Sequence, residues 1–453
     1  MRNADFSLPG KARENWLLTL LKCIHTSSPA CLRSILGQIL AYEWEKRRGE
    51  NRFLTLLKSL CNHFLMYFLP LRLLRLIQRL CSVEPWYPIE YEIVLTTTRV
   101  IFTRSKRTAQ HICLKLWQRS NDEICNDKLV IRSEDYLLEG LEFNRKFAKD
   151  VYLGIASVEV SKNKIKRGRL IEHPALNSLK KSRAEYALVM MCLKENWRLD
   201  YHLCQSRLGK DVSIDFIAKE VAQMHRQLEN SPGNYGMPKS ISLKLNLNSE
   251  LFLEALRELS NGQNYISKYG WISECMSQAC IIYSELFRRR YQNCHIKRCH
   301  GDLKATNLWV HPAKTLFFGL KKYPQQLLAL DCIDFNPEFC HIDTLSDVAM
   351  LAVDIEMHFT NWTGAYKDLE YAQNFANVFL DRYLREMQEY SMDVWPLLRY
   401  YMTEKAMVCA YVSILYDGQP ELGERYLDIA YVHAQQLGKP IESSAQVLAL
   451  GVS

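Results

Sequence analysis

The chain has 453 residues, of which 48% are hydrophobic. This is enough for about two or three domains with apolar cores, and it excludes an intrinsically disordered protein. Its 15 cysteines are scattered without a CxxC pair behind a polar N-terminus with no secretory signal, so we expect reduced thiols rather than a disulfide framework. The net charge of +8 lies in residues 1–82, which hold 13 Lys and Arg against 5 Asp and Glu.

Residues 1–88 are predicted to form a basic, Leu-rich helical segment. Helices are predicted at 16–24, 30–48 and 52–80, with Ser, Pro and Gly residues between them. The apolar stretch at 64–76 is too short to cross a membrane, so no transmembrane span is expected. The favoured interpretation is that the apolar faces pack on the rest of the chain. Peripheral contact with an anionic membrane or with a protein partner is the alternative.

From about residue 91 the chain becomes rich in β-branched and aromatic residues. One strand or a hairpin is predicted at 92–103, and another strand at 111–117. Lys115 is a lone charge in the second run, which indicates that it faces a site; a surface lysine at a strand edge is the alternative. A helix is predicted at 134–149, with Phe143 and Phe147 following Glu139 at spacings of four.

A further strand is predicted at 187–194, where the chain would run into a linker. Beyond it, helical periodicity dominates: a helix is predicted at 214–228, and another stripe comprises Phe375, Val378, Phe379 and Tyr383. The predicted fold class is therefore α+β. We expect an N-terminal helical segment (1–88), a small β-rich lobe (89–194) and a large, mostly helical lobe (195–453).

The motif with the most chemical content is His300-Gly301-Asp302-Leu303-Lys304-Ala305-Thr306-Asn307, followed by Ile333-Asp334-Phe335. Protein kinases have a catalytic Asp two residues after a His, a metal-binding Asn five residues further on, and a later metal-binding Asp. Asp302 fits the catalytic base, and Asn307 and Asp334 offer the hard oxygen ligands that magnesium prefers. Lys304 would stabilise the charge of the transferred phosphoryl group.

Together with residues 330–336 and 342–349, this motif resembles the aminoglycoside phosphotransferase and choline kinase-like family, which has a protein kinase-like fold. The chain is most similar to a bacterial branch of unassigned substrate, in which Glu is usual where Asp334 stands and His where Lys304 stands. Residues 144–154 resemble the same branch, and the likeness continues to about residue 416. The first ninety residues are not covered.

The resemblance implies roles for further residues. Lys115 would grip the α- and β-phosphates of ATP, with Glu139 as its ion-pair partner and Glu142 as the second candidate. His300 would belong to the catalytic group with Asp302 and Lys304, while Asp343 and Asp347 would stabilise the loop around it. The adenine would lie beside the linker residues Met190, Met191, Cys192 and Leu193.

Two expected motifs are missing. Residues 104–110, between the first strands, contain no glycine, so a Gly-rich phosphate loop is not expected. The P-loop domain that many relatives in the branch carry is not found either. The sequence predicts an ATP- and Mg-dependent cytoplasmic kinase that acts on the hydroxyl of a small molecule, without a nucleic-acid partner. The alternatives are a pseudokinase or regulatory nucleotide-binding module, and a membrane-apposed kinase acting on a lipid or lipopolysaccharide headgroup.

Overall fold

The structure is a computed structural model. It describes residues 87–94, 98–104, 111–117, 134–161, 164–168, 170–172, 185–204, 212–260, 262–316, 321–334, 336–363 and 369–437. The predicted N-terminal helices, most of the glycine-free loop and Phe335 lie outside these residues. The predictions made for them stay predictions.

The first part of the described chain is a closed antiparallel sheet of six strands with one helix inserted. The elements in chain order are β1 (Tyr87–Val94), β2 (Thr98–Arg104), β3 (His111–Trp117), α1 (Glu134–Ala148), β4 (Tyr152–Ser161), β5 (Lys164–Arg167) and β6 (Glu185–Met191). The strands pair in the order β1-β2-β3-β6-β4-β5, and β1 pairs with β5 to close the sheet. The stretch predicted as one strand or a hairpin is therefore the β1–β2 hairpin.

β3 is a central strand of this sheet, because it pairs with β2 on one side and with β6 on the other. Lys115 lies opposite Val100 in β2 and opposite Leu188 in β6. Residues 112–116 are all buried, so the lysine is enclosed by apolar neighbours along the strand. The strand-edge alternative for Lys115 is excluded.

The remainder of the described chain is mostly helical. Its helices are α2 (Leu199–Cys204), α3 (Ile214–Arg226), α4 (Pro238–Glu258), α5 (Ile266–Ile282), α6 (Ser284–Gln292), α7 (Pro337–Cys340), α8 (Thr344–Thr363), α9 (Leu369–Met387), α10 (Val394–Leu415) and α11 (Pro420–Ala434). Ser213 begins α3, with its Oγ accepting a hydrogen bond from Phe216 N at 3.1 Å. In the predicted stripe on α9, Phe379 and Tyr383 are fully buried, whereas Val378 is exposed.

Three short strand pairs are inserted among these helices. β7 (Ile296–Arg298) pairs with β12 (His341–Asp343), and β8 (Leu308–His311) pairs with β11 (Gln326–Ala329). β9 (Lys314–Leu316) and β10 (Lys321–Tyr323) form a separate hairpin. The first two pairs determine where the predicted site lies, because the motif residues follow β7 and β11.

The structure confirms the predicted α+β class, with a β-rich part followed by a mostly helical part. A single apolar cluster joins α1 to the helices that follow β6. Among the residues that the structure describes, no helix is both long and apolar enough to span a bilayer.

Candidate active site

Residues 300–307, called the catalytic loop below, connect β7 to β8. Residues 331–334, called the acidic segment, follow β11 on the neighbouring strand. Leu330 N donates a hydrogen bond to Asn307 O at 2.9 Å, and Ile333 N donates to His300 O at 2.9 Å. These bonds hold the loop and the segment side by side. The two segments that carry the predicted catalytic and metal-binding residues therefore lie next to each other.

Asp302 is held from two sides within the catalytic loop. Asn307 Nδ2 donates to Asp302 Oδ2 at 2.9 Å, and Lys304 Nζ lies 3.2 Å from Asp302 Oδ1. Burial disfavours the charge of Lys304, but Asp302, together with Cys409 and Asp354, outweighs this effect and raises the pKa of the lysine. The Asp302 side chain keeps 29% of its surface exposed. A fixed, accessible carboxylate has the geometry that a general base for a hydroxyl requires.

His300 is fully buried beneath the loop. Its Nε2 lies 2.9 Å from Leu330 O, and because a carbonyl oxygen only accepts, Nε2 must carry the proton. The ring packs edge-on against Phe147 of α1, with centroids 5.4 Å apart. His300 was grouped with the catalytic residues by sequence. Its burial instead favours a positioning role, in which it fixes the loop to the acidic segment and to α1.

Asp347, in the first turn of α8, holds the beginning of the catalytic loop. Its carboxylate accepts hydrogen bonds from His300 N at 3.0 Å and from Gly301 N at 2.9 Å. His225 Nε2 lies 3.2 Å from the same carboxylate. Burial alone would raise the pKa of Asp347, but His225, His300 and the Gly301 amide together lower it. Gly301 has a φ of +86°, and a Cβ there would lie 2.7 Å from Phe339 O, so the turn requires glycine.

Two of these residues belong to a buried His225–Cys299–Asp347 cluster with ligand atoms within 4.8 Å of one another. His225 Nδ1 is 2.7 Å from the Tyr383 hydroxyl, so both of its ring nitrogens have hydrogen-bond partners. Cys299 Sγ donates to Ile342 O at 3.5 Å, and burial raises the pKa of this thiol well above its usual value. Hydrogen bonding therefore accounts for the cluster without a metal ion.

Asp354 holds the second half of the loop, and sequence reasoning missed it. Its Oδ2 accepts from Ala305 N at 2.6 Å, and its Oδ1 accepts from the Tyr426 hydroxyl of α11 at 2.9 Å. The signal available in the sequence was its position seven residues after Asp347, on the same face of α8. Asp343, which was expected to act in the same way, instead accepts two hydrogen bonds from Arg290, at 2.9 and 2.6 Å, and one from Leu345 N.

Lys115 of β3 forms an ion pair with Asp331, the first residue of the acidic segment. Burial disfavours the charge on Lys115, but Asp331 and Asp334 raise the pKa of this lysine. Asp331 has a φ of +64°, an uncommon backbone conformation for a residue other than glycine, and 48% of its side chain is exposed. Asp331 N donates to the Tyr152 hydroxyl at 2.9 Å. The sequence predicts Asp334 and not Asp331 as the functional residue, because the two aspartates stand three residues apart and the spacing alone does not distinguish them.

Glu139, the predicted partner of Lys115, has an exposed side chain, as does Glu142. The carboxylate that pairs with Lys115 comes from the acidic segment instead. The predicted pairing is wrong in this structure. Phe143 and Phe147 are buried, as their helical stripe predicts. Glu139 belongs to the same stripe, but its side chain is exposed.

Asp334, the predicted metal ligand, is half-buried against α1. A Cβ on Gly140 would lie only 2.6 Å from Asp334 Oδ2, so the absence of a side chain at Gly140 makes room for the carboxylate. One turn further along α1, Asn144 Oδ1 accepts from Cys332 N at 3.2 Å. The acidic segment is thus held by α1 and β3 of the N-terminal part.

The predicted adenine contacts lie where β6 ends. Met190 and Met191 are buried as the last residues of that strand, and Met190 lies opposite Cys113 of β3 and Tyr152 of β4. Cys192 and Leu193 follow in the linker and are half-buried. Their role at the base stays a prediction.

The sequence matches no protein-family profile and no curated protein. Similar solved structures include an ethanolamine kinase of Plasmodium vivax, with 14% identity and a TM-score of 0.39 over 77% of this chain and 82% of that chain. A glucosamine kinase in complex with glucosamine, ADP and inorganic phosphate has 11% identity and a TM-score of 0.36, over 83% of this chain and 99% of that chain. Another crystal form of glucosamine kinase has 11% identity and a TM-score of 0.38, over 77% and 92%.

Proposed function

We propose that this protein is an ATP- and magnesium-dependent phosphotransferase that transfers the γ-phosphoryl group to a hydroxyl of a small molecule. The observation that carries the proposal is the fixed Asp302 carboxylate, which lies between Asn307 and Lys304 in a loop braced by Asp347 and Asp354. Phosphoryl transfer depends mainly on positioning and electrostatic stabilisation, which such a rigid, charged loop supplies.

In this reaction Asp302 accepts the proton of the acceptor hydroxyl as its oxygen attacks the γ-phosphorus in line with the departing ADP oxygen. Lys304, kept cationic by its raised pKa, stabilises the negative charge that develops on the transferred group. The hydrogen bond from Asn307 orients the Asp302 oxygens. His300, buried under the loop, positions the backbone and does not touch the reacting atoms.

The donor set fits a magnesium ion. Asn307 uses its Nδ2 to bind Asp302, which leaves its amide oxygen available as a ligand, and Asp331 has a half-exposed carboxylate. We propose Asn307 and Asp331 as the ligands, with Asp334, the ligand expected from sequence, as the second candidate. A magnesium ion bound there would neutralise charge on the β- and γ-phosphates. Lys115, beside Asp331, would anchor the α- and β-phosphates.

The test is a calorimetric titration with ATP, with and without magnesium, on wild type, Asp331→Asn, Asp334→Asn and Asp302→Asn. We expect magnesium-dependent binding that Asp331→Asn weakens by about tenfold or more, since a charged ligand is lost. Asp302→Asn should leave binding within a few-fold while lowering phosphoryl transfer by roughly 10²–10⁴. A larger loss in Asp334→Asn than in Asp331→Asn would exchange the roles of the two aspartates. Wild type that binds no ATP would overturn the proposal.

The second candidate function is a nucleotide-binding protein without catalysis. The exposed Glu139 favours it, because active protein kinases pair the strand lysine with a helix glutamate. Magnesium-dependent ATP binding without transfer to any acceptor, and without ATP hydrolysis that depends on Asp302, is the result expected from this candidate.

A further inference from the structure

Four successive backbone amides, from Leu330 to Ile333, each donate a hydrogen bond to a neighbouring element. The outer two, of Leu330 and Ile333, donate to carbonyl oxygens of the catalytic loop, both at 2.9 Å. The inner two, of Asp331 and Cys332, donate to side chains of the N-terminal part. The residue that carries a proposed metal-binding carboxylate is therefore placed by contacts outside the catalytic loop.

The two side chains that accept the inner amides come from one short stretch, the end of α1 and the beginning of β4. The Tyr152 hydroxyl accepts from Asp331 N at 2.9 Å, and Asn144 Oδ1 accepts from Cys332 N at 3.2 Å. Both side chains are buried, and Asn144 is itself fixed because its Nδ2 donates to Gly140 O at 2.8 Å. A left-handed backbone such as that of Asp331, with a φ of +64°, persists only where its surroundings hold it. The two hydrogen bonds supply that support.

The Tyr152 side chain extends from a β-bulge at the beginning of β4. In the pairing of β4 with β6, Tyr152 and Gly154 lie opposite successive residues of β6, so Leu153 between them is an extra residue of the strand. Bulges redirect side chains and are often found next to active sites. A Cβ on Gly154 would overlap the carbonyl oxygen of Ile171, so glycine is required where the segment at 171–172 approaches the bulge.

Arg145 of α1 holds this bulge. Its guanidinium donates three hydrogen bonds to backbone oxygens: Nε to Tyr152 O at 2.9 Å, Nη2 to Leu153 O at 2.7 Å and Nη1 to Glu172 O at 2.6 Å. A guanidinium presents its donors in a rigid planar fork, so the three acceptors are held in a fixed arrangement, which a lysine could not reproduce. Arg145 therefore connects α1, the bulge and the segment at 171–172.

We propose that Asn144, Arg145 and Tyr152 are positioning residues of the magnesium site. Arg145 fixes the bulge, the bulge directs Tyr152, and Tyr152 and Asn144 hold the backbone that presents the Asp331 carboxylate to the metal ion. The three side chains act through the backbone of the acidic segment and need not touch the metal ion or the nucleotide. The inference rests on the proposed function, in which Asp331 is a magnesium ligand.

The test is a calorimetric titration of the full-length protein with ATP, with and without magnesium. With magnesium, we expect Tyr152→Phe and Asn144→Ala each to weaken ATP binding by about tenfold, and Arg145→Lys by roughly three- to tenfold, since residues that orient metal ligands have effects of this size. Without magnesium, the affinities should stay within about twofold of wild type, because the aspartate acts on the metal ion. A merely structural role would lower both affinities.

The matched control is Tyr269→Phe. Tyr269 is also a buried tyrosine whose hydroxyl bonds to the backbone, at Ser249 O over 3.2 Å, but it lies between α4 and α5. Its loss should leave the effect of magnesium within about twofold of wild type, since the hydroxyl is remote from the acidic segment. A loss in Tyr269→Phe equal to that in Tyr152→Phe would contradict the inference.

Double variants show whether Tyr152 acts through Asp331. Once the Asp331 carboxylate is removed, adding Tyr152→Phe to Asp331→Asn should change magnesium-dependent affinity by less than about twofold, because coupled residues are not additive. Added to Asp334→Asn, the same change should keep its effect of about tenfold. Equal losses in both backgrounds, or a loss that disappears only with Asp334→Asn, would show that Tyr152 does not position Asp331.

Amide hydrogen exchange gives a second readout that needs no nucleotide. In Tyr152→Phe the Asp331 amide loses its acceptor, so its exchange should be faster by about tenfold or more, whereas the Ile333 amide, bonded to His300 O, should exchange as in wild type. A wild type that binds no ATP overturns the proposed function and this inference with it. A wild type with magnesium-dependent binding that all three variants retain, with unchanged exchange at Asp331, overturns the inference alone.

Discussion

The catalytic loop and the acidic segment run side by side, but different parts of the molecule hold them. The catalytic loop is braced by Asp347 and Asp354, two buried carboxylates of α8 that accept hydrogen bonds from its backbone. The acidic segment is bound to the N-terminal part, through Lys115 of β3 and Asn144 of α1. The proposed base, Asp302, therefore lies in a loop that the helical part holds, whereas the geometry of the proposed metal site depends on how α1 and β3 are placed.

Asp347→Asn acts on the catalytic loop and should have the largest effect of the variants described here. The asparagine can no longer accept from all three partners, since one carboxylate oxygen is replaced by an NH₂ group that opposes the donor of either His300 or Gly301. We expect a loss of about 3 kcal/mol or more in the free energy of unfolding, measured by urea denaturation. Asp381→Asn, which breaks a surface ion pair with Arg385, is the control and should cost less than about 1 kcal/mol.

The buried charge network of Arg290, His295, Asp343 and Glu389 should make the stability of the protein acid-sensitive. Burial opposes the charge of Glu389, but His295 and Arg290 lower its pKa to about 2 from the ordinary value of 4.5. A folded-state pKa below the unfolded value contributes stability above about pH 4.5, and that contribution is lost as the pH falls towards 2. It amounts to roughly 3 kcal/mol at neutral pH.

Urea denaturation of wild type and Glu389→Gln between pH 7 and 3 measures this contribution. We expect the difference in stability between the two proteins to shrink as the pH falls through this range. A difference that does not change with pH would mean that Glu389 keeps its ordinary pKa in the folded protein.

The sequence predicted the catalytic loop because its residues are close together in the chain. The spacing of Asp302, Lys304 and Asn307 alone brings them together once the segment turns between two strands. The acidic segment was harder to predict, because Asp331 and Asp334 are both suitable ligands. The choice between them depends on a left-handed backbone at Asp331 and on the space above Gly140, which follow from packing against a remote helix.

Gly140→Ala should change the acidic segment and leave the catalytic loop unchanged, and its effect should be smaller than that of Asp347→Asn. The added methyl would lie 2.6 Å from Asp334 Oδ2, so the carboxylate must move, while the catalytic loop is not touched. We expect magnesium-dependent ATP affinity to fall by roughly three- to tenfold, with a loss of about 1–2 kcal/mol in unfolding free energy. Alanine stabilises a helix relative to glycine, which offsets part of that loss. ATP affinity unchanged from wild type would show that the position of Asp334 does not matter for the metal site.

Glu139→Gln should have the smallest effect. It is the most direct test of whether Lys115 pairs with Asp331 or with Glu139. In this structure Glu139 is exposed and Lys115 is bound by Asp331, so removal of the Glu139 charge should change ATP affinity by less than about twofold. The matched change Lys115→Met removes the lysine itself, and it should weaken ATP binding by about tenfold or more, since a charged contact to the phosphates would be lost. If both variants lost affinity to the same extent, α1 would have to rotate when the nucleotide binds and bring Glu139 to Lys115. The acidic segment would then exchange its lysine for the metal ion during the reaction cycle, and the N-terminal part would control activity through the position of α1.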